Sequence, residues 1–159
     1  MTRYDWLLFL HVLAAFSLVA AEVLFTFLIL SGRNLDVPSD VARIFRLSRV
    51  GEVLLNAGLI GVLIFGIWLA IEVDGYKLWD GWVIAALVLW AVFADVSGRV
   101  GKVYNAARDR ARALVAENRN EPSPELRAIL RSQTGLVLQA VSVVIVLLFL
   151  IDMIYKPGA

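Results

Sequence analysis

Residues 134–154 read TGLVLQAVSVVIVLLFLIDMI, and within this stretch only Asp152 is ionisable. A bilayer core about 30 Å thick needs roughly 20 consecutive apolar residues for one helical span. Three other stretches have the same character: Trp6–Leu30, Val53–Ile71, and Trp82–Val96, which continues past Gly98 to Val103. Runs of this length without alternating polar residues exclude a transmembrane β-barrel, whose strands are short and alternate.

The pattern therefore predicts an all-α fold, a four-helix transmembrane bundle with up-down-up-down topology and a single domain over residues 1–159. The predicted spans cover about residues 5–31, 51–72, 81–104 and 132–155. The composition agrees, because a chain that is 60% hydrophobic and 18% charged is too apolar for a soluble domain of this size. Helices 2, 3 and 4 are expected to extend beyond the membrane on the cytoplasmic side. Ser123, Pro124 and Glu125 form a helix start there, and so do Ser39 and Asp40 after Pro38.

The distribution of Lys and Arg predicts the orientation, because loops rich in these residues stay in the cytoplasm. Twelve of the fifteen basic residues lie between spans one and two or between spans three and four. The other three are Arg3, Lys77 and Lys156. We therefore expect a multi-pass protein of the bacterial cytoplasmic (inner) membrane with both termini outside and loops 32–50 and 105–131 in the cytoplasm. Aromatic residues that anchor helices at an interface would then lie outside: Tyr4, Trp6, Tyr76, Trp79, Trp82 and Tyr155.

The lipid bilayer is the first expected partner, and anionic lipid headgroups at the cytoplasmic face are the second, since they attract juxtamembrane arginines. The segment with Val41, Ile44 and Phe45 on one side and arginines on another could lie on the lipid surface. A protein-docking patch is the alternative. Association into a homo-oligomer stays open, and no nucleic acid partner is expected.

Six polar residues within or beside the predicted spans are candidate functional groups, because such residues are expensive in a membrane. They are His11, Glu22, Glu52, Asn56, Asp95 and Gln139. All except His11 lie near the cytoplasmic ends of their helices, so they are expected to form an intramembrane polar layer, with Ser142 on the same face as Gln139. The functional interpretation is a cation, proton or polar-headgroup site. The structural one is a network that fixes helix packing, with Asp95 paired to Arg99 and Glu52 paired to Arg49 or Arg46.

His11 is the only histidine, and it lies about 16 Å from Glu22 along the same face of the first helix. Haem ligation by two histidines of one chain is therefore excluded. A pair of His11 and Met153 could hold the iron of haem b, or His11 could bind copper. The alternatives are a structural histidine and a proton-handling group. Because the chain has no cysteine, thiolate metal sites and iron–sulfur clusters are excluded, and a closed zinc site would need residues from another protomer.

Small residues spaced four apart indicate close helix packing: Ala57 with Gly61, and Ala94 with Gly98, with Gly58 and Gly66 beside them. The alternative is that they line a cavity or a dimer seam. Trp90 is expected in the core or stacked on a cofactor. The sequence has no nucleophile elbow, phosphate loop or metalloprotease motif, so no catalytic residues are predicted.

Four segments carry a family resemblance over nearly the whole chain: Leu7–Ala15, Arg49-Val50-Gly51-Glu52, Gly66-Ile67-Trp68-Leu69 and Asp152–Gly158. In these the chain resembles a bacterial family of small four-span predicted integral membrane proteins with a domain of unknown function. The Leu10-His11-Val12 motif and the four-span layout also resemble, more distantly, the copper-resistance D and HemJ-like membrane proteins. That resemblance implies a metal or haem role for His11, although the second histidine is absent here.

Three functions follow as hypotheses. The first is a non-enzymatic membrane component or partner of another membrane protein. The second is a haem- or copper-binding redox protein that uses His11. The third is a small proton- or cation-coupled transporter that works through the polar layer; it would have to oligomerise, because carriers usually place their site between repeats and no inverted repeat is evident.

Overall fold

The computed structural model describes residues 2–73 and 77–156, and this part of the chain contains helices and no strand. The helices are α1 (Arg3–Gly32), α2 (Pro38–Ile44), α3 (Ser48–Glu72), α4 (Gly81–Ala116), α5 (Pro124–Leu130) and α6 (Gln133–Tyr155), with a short 3-10 turn over Phe45–Leu47. Four helical runs of these described residues are long and apolar enough to cross a membrane: α1, α2 with α3, α4, and α5 with α6. The predicted all-α fold with four such helices is confirmed. Tyr76 and the last two residues of the tail motif, Pro157 and Gly158, lie outside the described residues.

The bundle has two chemically different ends. We call the end formed by residues 33–48 and 105–132 the basic end, because most of the arginines lie there. The opposite end, which includes Tyr4, Trp79, Trp82 and Tyr155, is called the aromatic end. These names describe composition and carry no orientation in the membrane.

Capping residues determine where the helices begin. In α1 the hydroxyl of Thr2 accepts a hydrogen bond from the Asp5 backbone N–H at 3.2 Å, and the Asp5 carboxylate accepts one from the Thr2 backbone N–H at 2.7 Å. The predicted start at Ser123 is confirmed, since its hydroxyl accepts from the Leu126 N–H and Pro124 takes the first position. A second cap at Ser132 begins α6, so the fourth run is divided into two helices.

The helices pack as two pairs, α1 along α3 and α4 along α6. The first pair is in backbone contact, as the small residues predicted. A Cβ on Gly58 would lie 2.8 Å from the backbone nitrogen of Leu18, and one on Gly61 would lie 2.7 Å from the Cβ of Ala14. Gly98 on α4 differs, because a Cβ there would meet no atom within 4 Å in residues 2–73 and 77–156.

At the basic end the connecting segments form one core with the ends of α1 and α4. Its fully buried residues come from α1, α2, the 3-10 turn, the C-terminal half of α4, and α5: Leu28, Ile29, Val41, Phe45, Ala107, Ala111, Leu126 and Leu130. The expectation that α2 lies on the lipid surface was wrong, because Val41 and Phe45 are 0% and 2% exposed and pack against protein. The segments are also joined by hydrogen bonds, from the Ser39 N–H to the side chain of Asn120 and from the Ser123 N–H to the Asp36 carbonyl, both 2.9 Å. Arg127 and Asp36 form an ion pair.

Replacing Gly58 with Ala should destabilise the bundle by about 1–3 kcal/mol, because the new methyl group would overlap the backbone of α1. Gly101→Ala on α4 is the matched control, since a Cβ there would lie 4.0 Å from its nearest neighbour, the side-chain nitrogen of Asn105, and its effect should stay within about 0.5 kcal/mol. The measurement is unfolding of detergent-solubilised protein in SDS, followed by circular dichroism. Equal losses for the two variants would contradict the close α1–α3 contact.

Candidate functional site

Glu22 on α1 is the centre of a buried polar cluster. Its carboxylate accepts a hydrogen bond from the Gln139 side-chain amide at 2.8 Å and another from the Ser142 hydroxyl at 2.7 Å. The amide of Gln139 also donates to the Thr26 hydroxyl at 3.0 Å, and Ser97 on α4 lies 3.4 Å from Ser142, oxygen to oxygen. Among the described residues no ion pair includes Glu22. Hydrogen bonds from neutral donors therefore stabilise this carboxyl group.

A second polar group lies at the basic end, next to the Glu22 cluster. The Arg108 guanidinium donates to Glu52 at 2.8 Å, to the Ser48 hydroxyl at 3.2 Å and to Asp109 at 3.0 Å. Burial lowers the pKa of Arg108, but the hydrogen bonds and charges of Asp109 and Glu52 together outweigh it, so the net shift is upward and the group stays charged. The expected pairing of Glu52 with Arg49 or Arg46 was wrong. Both of those arginines are exposed, and the cation that reaches Glu52 comes from α4.

A small cavity of about 30 Å³ lies between these two groups, and both Glu22 and Glu52 line it together with Ser48, Ser97 and Tyr104. This volume is enough for about one or two water molecules. The cavity therefore brings two of the predicted carboxylates to one space without a direct contact between them.

Asn56 and Asp95 do not join this cluster. Both are exposed on the outside of the bundle. The Asn56 amide donates to the Glu52 backbone carbonyl of its own helix at 2.8 Å. Asp95 pairs with Arg99 at 2.8 Å, the partner that the i, i+4 spacing predicted. Of the five predicted members of the layer, the structure thus brings together Glu22, Glu52 and Gln139.

A larger cavity of about 290 Å³ lies at the aromatic end, bounded by α1, α3, α4 and α6. His11 and Met153 both line it, so the two residues proposed as haem ligands share one space. The His11 ring packs against Gly66, where a Cβ would lie 3.0 Å from its Cε1 atom. Its Nδ1 atom is buried on the side that faces α3, and the imidazole has the Val62 backbone as a hydrogen-bond partner.

Trp90, which also lines this cavity, donates its indole N–H to the Leu59 carbonyl at 2.9 Å. Asp152 on α6 is buried, and its Oδ2 atom has no hydrogen-bond partner among the described residues. No group of three or more His, Asp or Glu side chains in residues 2–73 and 77–156 is arranged to hold a metal ion.

Sequence reasoning missed Thr26, Ser97 and Arg108 as members of the polar groups. Thr26 lies one helical turn after Glu22, so spacing could have indicated it. Arg108 is separated from Glu52 by 56 positions, and no local pattern predicts such a contact.

Gln139→Leu should destabilise the bundle by roughly 1–2 kcal/mol, because it removes a donor from the buried Glu22 carboxyl group. Asn56→Leu is the matched control, since that amide is exposed and bonds only to its own helix, and it should change stability by less than about 0.5 kcal/mol. SDS unfolding measures both. A neutral Gln139→Leu would show that the cluster does not stabilise the bundle.

Comparison with known proteins identifies a family. The model of the family described as "Predicted integral membrane protein (DUF2269)" matches residues 5–157. No curated protein and no solved structure matches the chain. Since the match covers nearly all of the sequence and agrees with four membrane-spanning helices, the chain belongs to the DUF2269 family of predicted integral membrane proteins.

Proposed function

We propose that this protein is a non-enzymatic membrane component that associates with a second copy of itself through the outer face of α4. The observation that carries the proposal is the Asp95–Arg99 ion pair, whose two side chains are 60% and 63% exposed on the surface of the bundle. Asp95 lies thirteen residues after Trp82, about 20 Å along the helix, within a hydrocarbon core about 30 Å thick. A charged pair at this depth is costly against lipid tails, and covering it with protein removes that cost.

The neighbouring residues fit a second copy. Val88, Ala91, Asp95, Gly98 and Lys102 are all exposed and recur at intervals of three or four, so they share one face of α4. Two copies of one chain have the same orientation in a membrane, and a two-fold axis along the bilayer normal would bring their α4 helices side by side. Asp95 of one copy would then face Arg99 of the other. A Cβ on Gly98 would contact none of the described residues within 4 Å, so this glycine is free to permit the close approach that such an interface needs.

The proposed location is the bacterial cytoplasmic membrane, with both termini outside and the basic end in the cytoplasm. Twelve basic residues lie between spans one and two or between spans three and four, and three lie elsewhere; this bias supports the orientation. Arg43, Arg46 and Arg49 are exposed beside the bundle at the basic end, where they can attract anionic lipid headgroups.

The other two hypotheses draw less support from the geometry. A carrier built on the polar layer would use Asp95 and Asn56, but these face outward while Glu22 already accepts two hydrogen bonds. A haem or copper site would use His11 and Met153, which line one cavity. That site remains a prediction.

Association through α4 predicts position-specific cross-linking. The chain has no cysteine, so a single introduced thiol reports on one position. Gly98→Cys should give a disulfide-linked dimer when native membranes are oxidised, because two-fold symmetry brings the same residue of both copies together. Val137→Cys on α6 is also exposed, at 58%, and should remain monomeric on the same gel. No dimer for Gly98→Cys, or equal dimer for both, would overturn the interface.

The orientation is tested with a membrane-impermeant maleimide on intact spheroplasts. Lys77→Cys lies in the loop at the aromatic end and should react without lysis, whereas Glu121→Cys at the basic end should react only after lysis. Both positions are exposed in the folded chain. The reverse labelling pattern would place the basic end outside.

A further inference from the structure

The face of α4 that is proposed to meet a second copy continues past the Asp95–Arg99 ion pair to Lys102. We infer that two Lys102 ammonium groups, one from each copy, bind an anionic phospholipid that carries two phosphates in one headgroup. The site is complete only in a dimer, so it rests on the association proposed above. It adds a ligand class to that interface.

The charges on this face leave one positive charge in each copy. Asp95 and Arg99 are 2.8 Å apart and neutralise each other. Lys102 is exposed, and none of the ion pairs among the described residues includes it. The next carboxylate along the face, Asp109, lies seven residues further, about 10 Å along the helix, and is 3.0 Å from the Arg108 guanidinium. A dimer would therefore hold two positive charges at the level of Lys102.

The position of Lys102 along α4 corresponds to the level of lipid phosphates. Lys102 lies twenty residues after Trp82, about 30 Å along the helix, and this equals the thickness of the hydrocarbon core. Trp82 belongs to the aromatic end, and tryptophan side chains favour the headgroup region. The long aliphatic stem of Lys102 can therefore carry its ammonium group to the phosphates of the leaflet at the basic end.

Two-fold symmetry would combine the two charges into one site. Seven residues complete nearly two helical turns, so Lys102 projects within about 20° of Asp95 and lies on the same face. In a symmetric dimer each residue at the interface meets the same residue of the other copy at the same depth. Gly98, one turn before Lys102, would let the two helices approach closely. Two ammonium groups at close range repel each other, and a dianion between them replaces this repulsion with two attractions.

A headgroup with two phosphates suits this pair of lysines better than a headgroup with one. A lipid with a single phosphate neutralises one lysine, so two such lipids would have to bind side by side. A lipid with two linked phosphates brings the second phosphate to the second lysine at a high effective concentration. The exposed arginines Arg43, Arg46 and Arg49 differ, because they lie on other helical segments and attract any anionic headgroup.

Native mass spectrometry of the full-length protein measures the association and the lipid separately. Protein purified in a mild detergent is mixed with cardiolipin, which has two phosphates, or with phosphatidylglycerol, which has one. The wild-type dimer should bind one cardiolipin roughly tenfold more tightly than phosphatidylglycerol, because both lysines are then neutralised by one molecule. The monomer should show no such preference, since it has only one Lys102.

Three variants assign the effect to the charge of Lys102. Lys102→Gln should weaken cardiolipin binding by the dimer roughly tenfold, whereas Lys102→Arg keeps the charge and should retain the lipid. Arg46→Gln is the matched control, because it also removes one exposed positive charge per copy at the basic end, and it should leave the affinity unchanged.

The outcomes separate the lipid site from the association. A dimer that binds the two lipids equally, or that loses cardiolipin equally in Lys102→Gln and Arg46→Gln, would overturn the lipid site and leave the association intact. A loss in Lys102→Arg as large as in Lys102→Gln would show that the charge does not bind the lipid. Displacement of cardiolipin by an equal concentration of inorganic pyrophosphate would assign the site to a soluble anion instead. Absence of any dimer would overturn both the association and the lipid site.

Discussion

The hydrogen bonds that Glu22 accepts from α6 hold the two halves of the bundle together. Contacts are most extensive within the pair α1 and α3 and within the pair α4 and α6, and they are fewer between the pairs. Lipid tails are as apolar as leucine side chains, so burial from water does not bring these pairs together inside a membrane. A carboxyl group on α1 that finds its donors only on α6 supplies a directional link. The outward-facing polar residues, Asn56 and Asp95, are satisfied locally and cannot provide one.

The hydrogen bonds of Glu22 lie toward the basic end, whereas the larger of the two cavities lies at the aromatic end. The cavity lined by Glu22 has a volume of about 30 Å³, whereas the cavity lined by His11 has a volume of about 290 Å³. The basic end is reinforced further by the core of α2, α4 and α5 and by the contact of Arg108 with Glu52. The basic end is thus closely packed, and the aromatic end holds the larger cavity. Gly58 permits backbone contact between α1 and α3, whereas Gly66 leaves space for the imidazole of His11.

Membership of the DUF2269 family agrees with this architecture and assigns no chemistry to it. The proposed association therefore rests on the exposed Asp95–Arg99 ion pair of α4 rather than on the family match.

The sequence alone determined the class of fold, because apolar runs long enough to cross a bilayer leave helices as the structure that satisfies their backbone. It also determined local features with a short range: the Ser123 cap, the Asp95–Arg99 pair and the glycines between α1 and α3. The position of each residue along its helix could be counted from the sequence, and this count correctly placed His11 and Glu22 at different depths in the bundle. Only the tertiary structure decided which residues meet, because rotation of each helix about its axis depends on contacts distant in sequence. That rotation turns Gln139 toward Glu22 and Asp95 away from it, brings Arg108 rather than Arg49 to Glu52, and buries Val41 in protein rather than lipid.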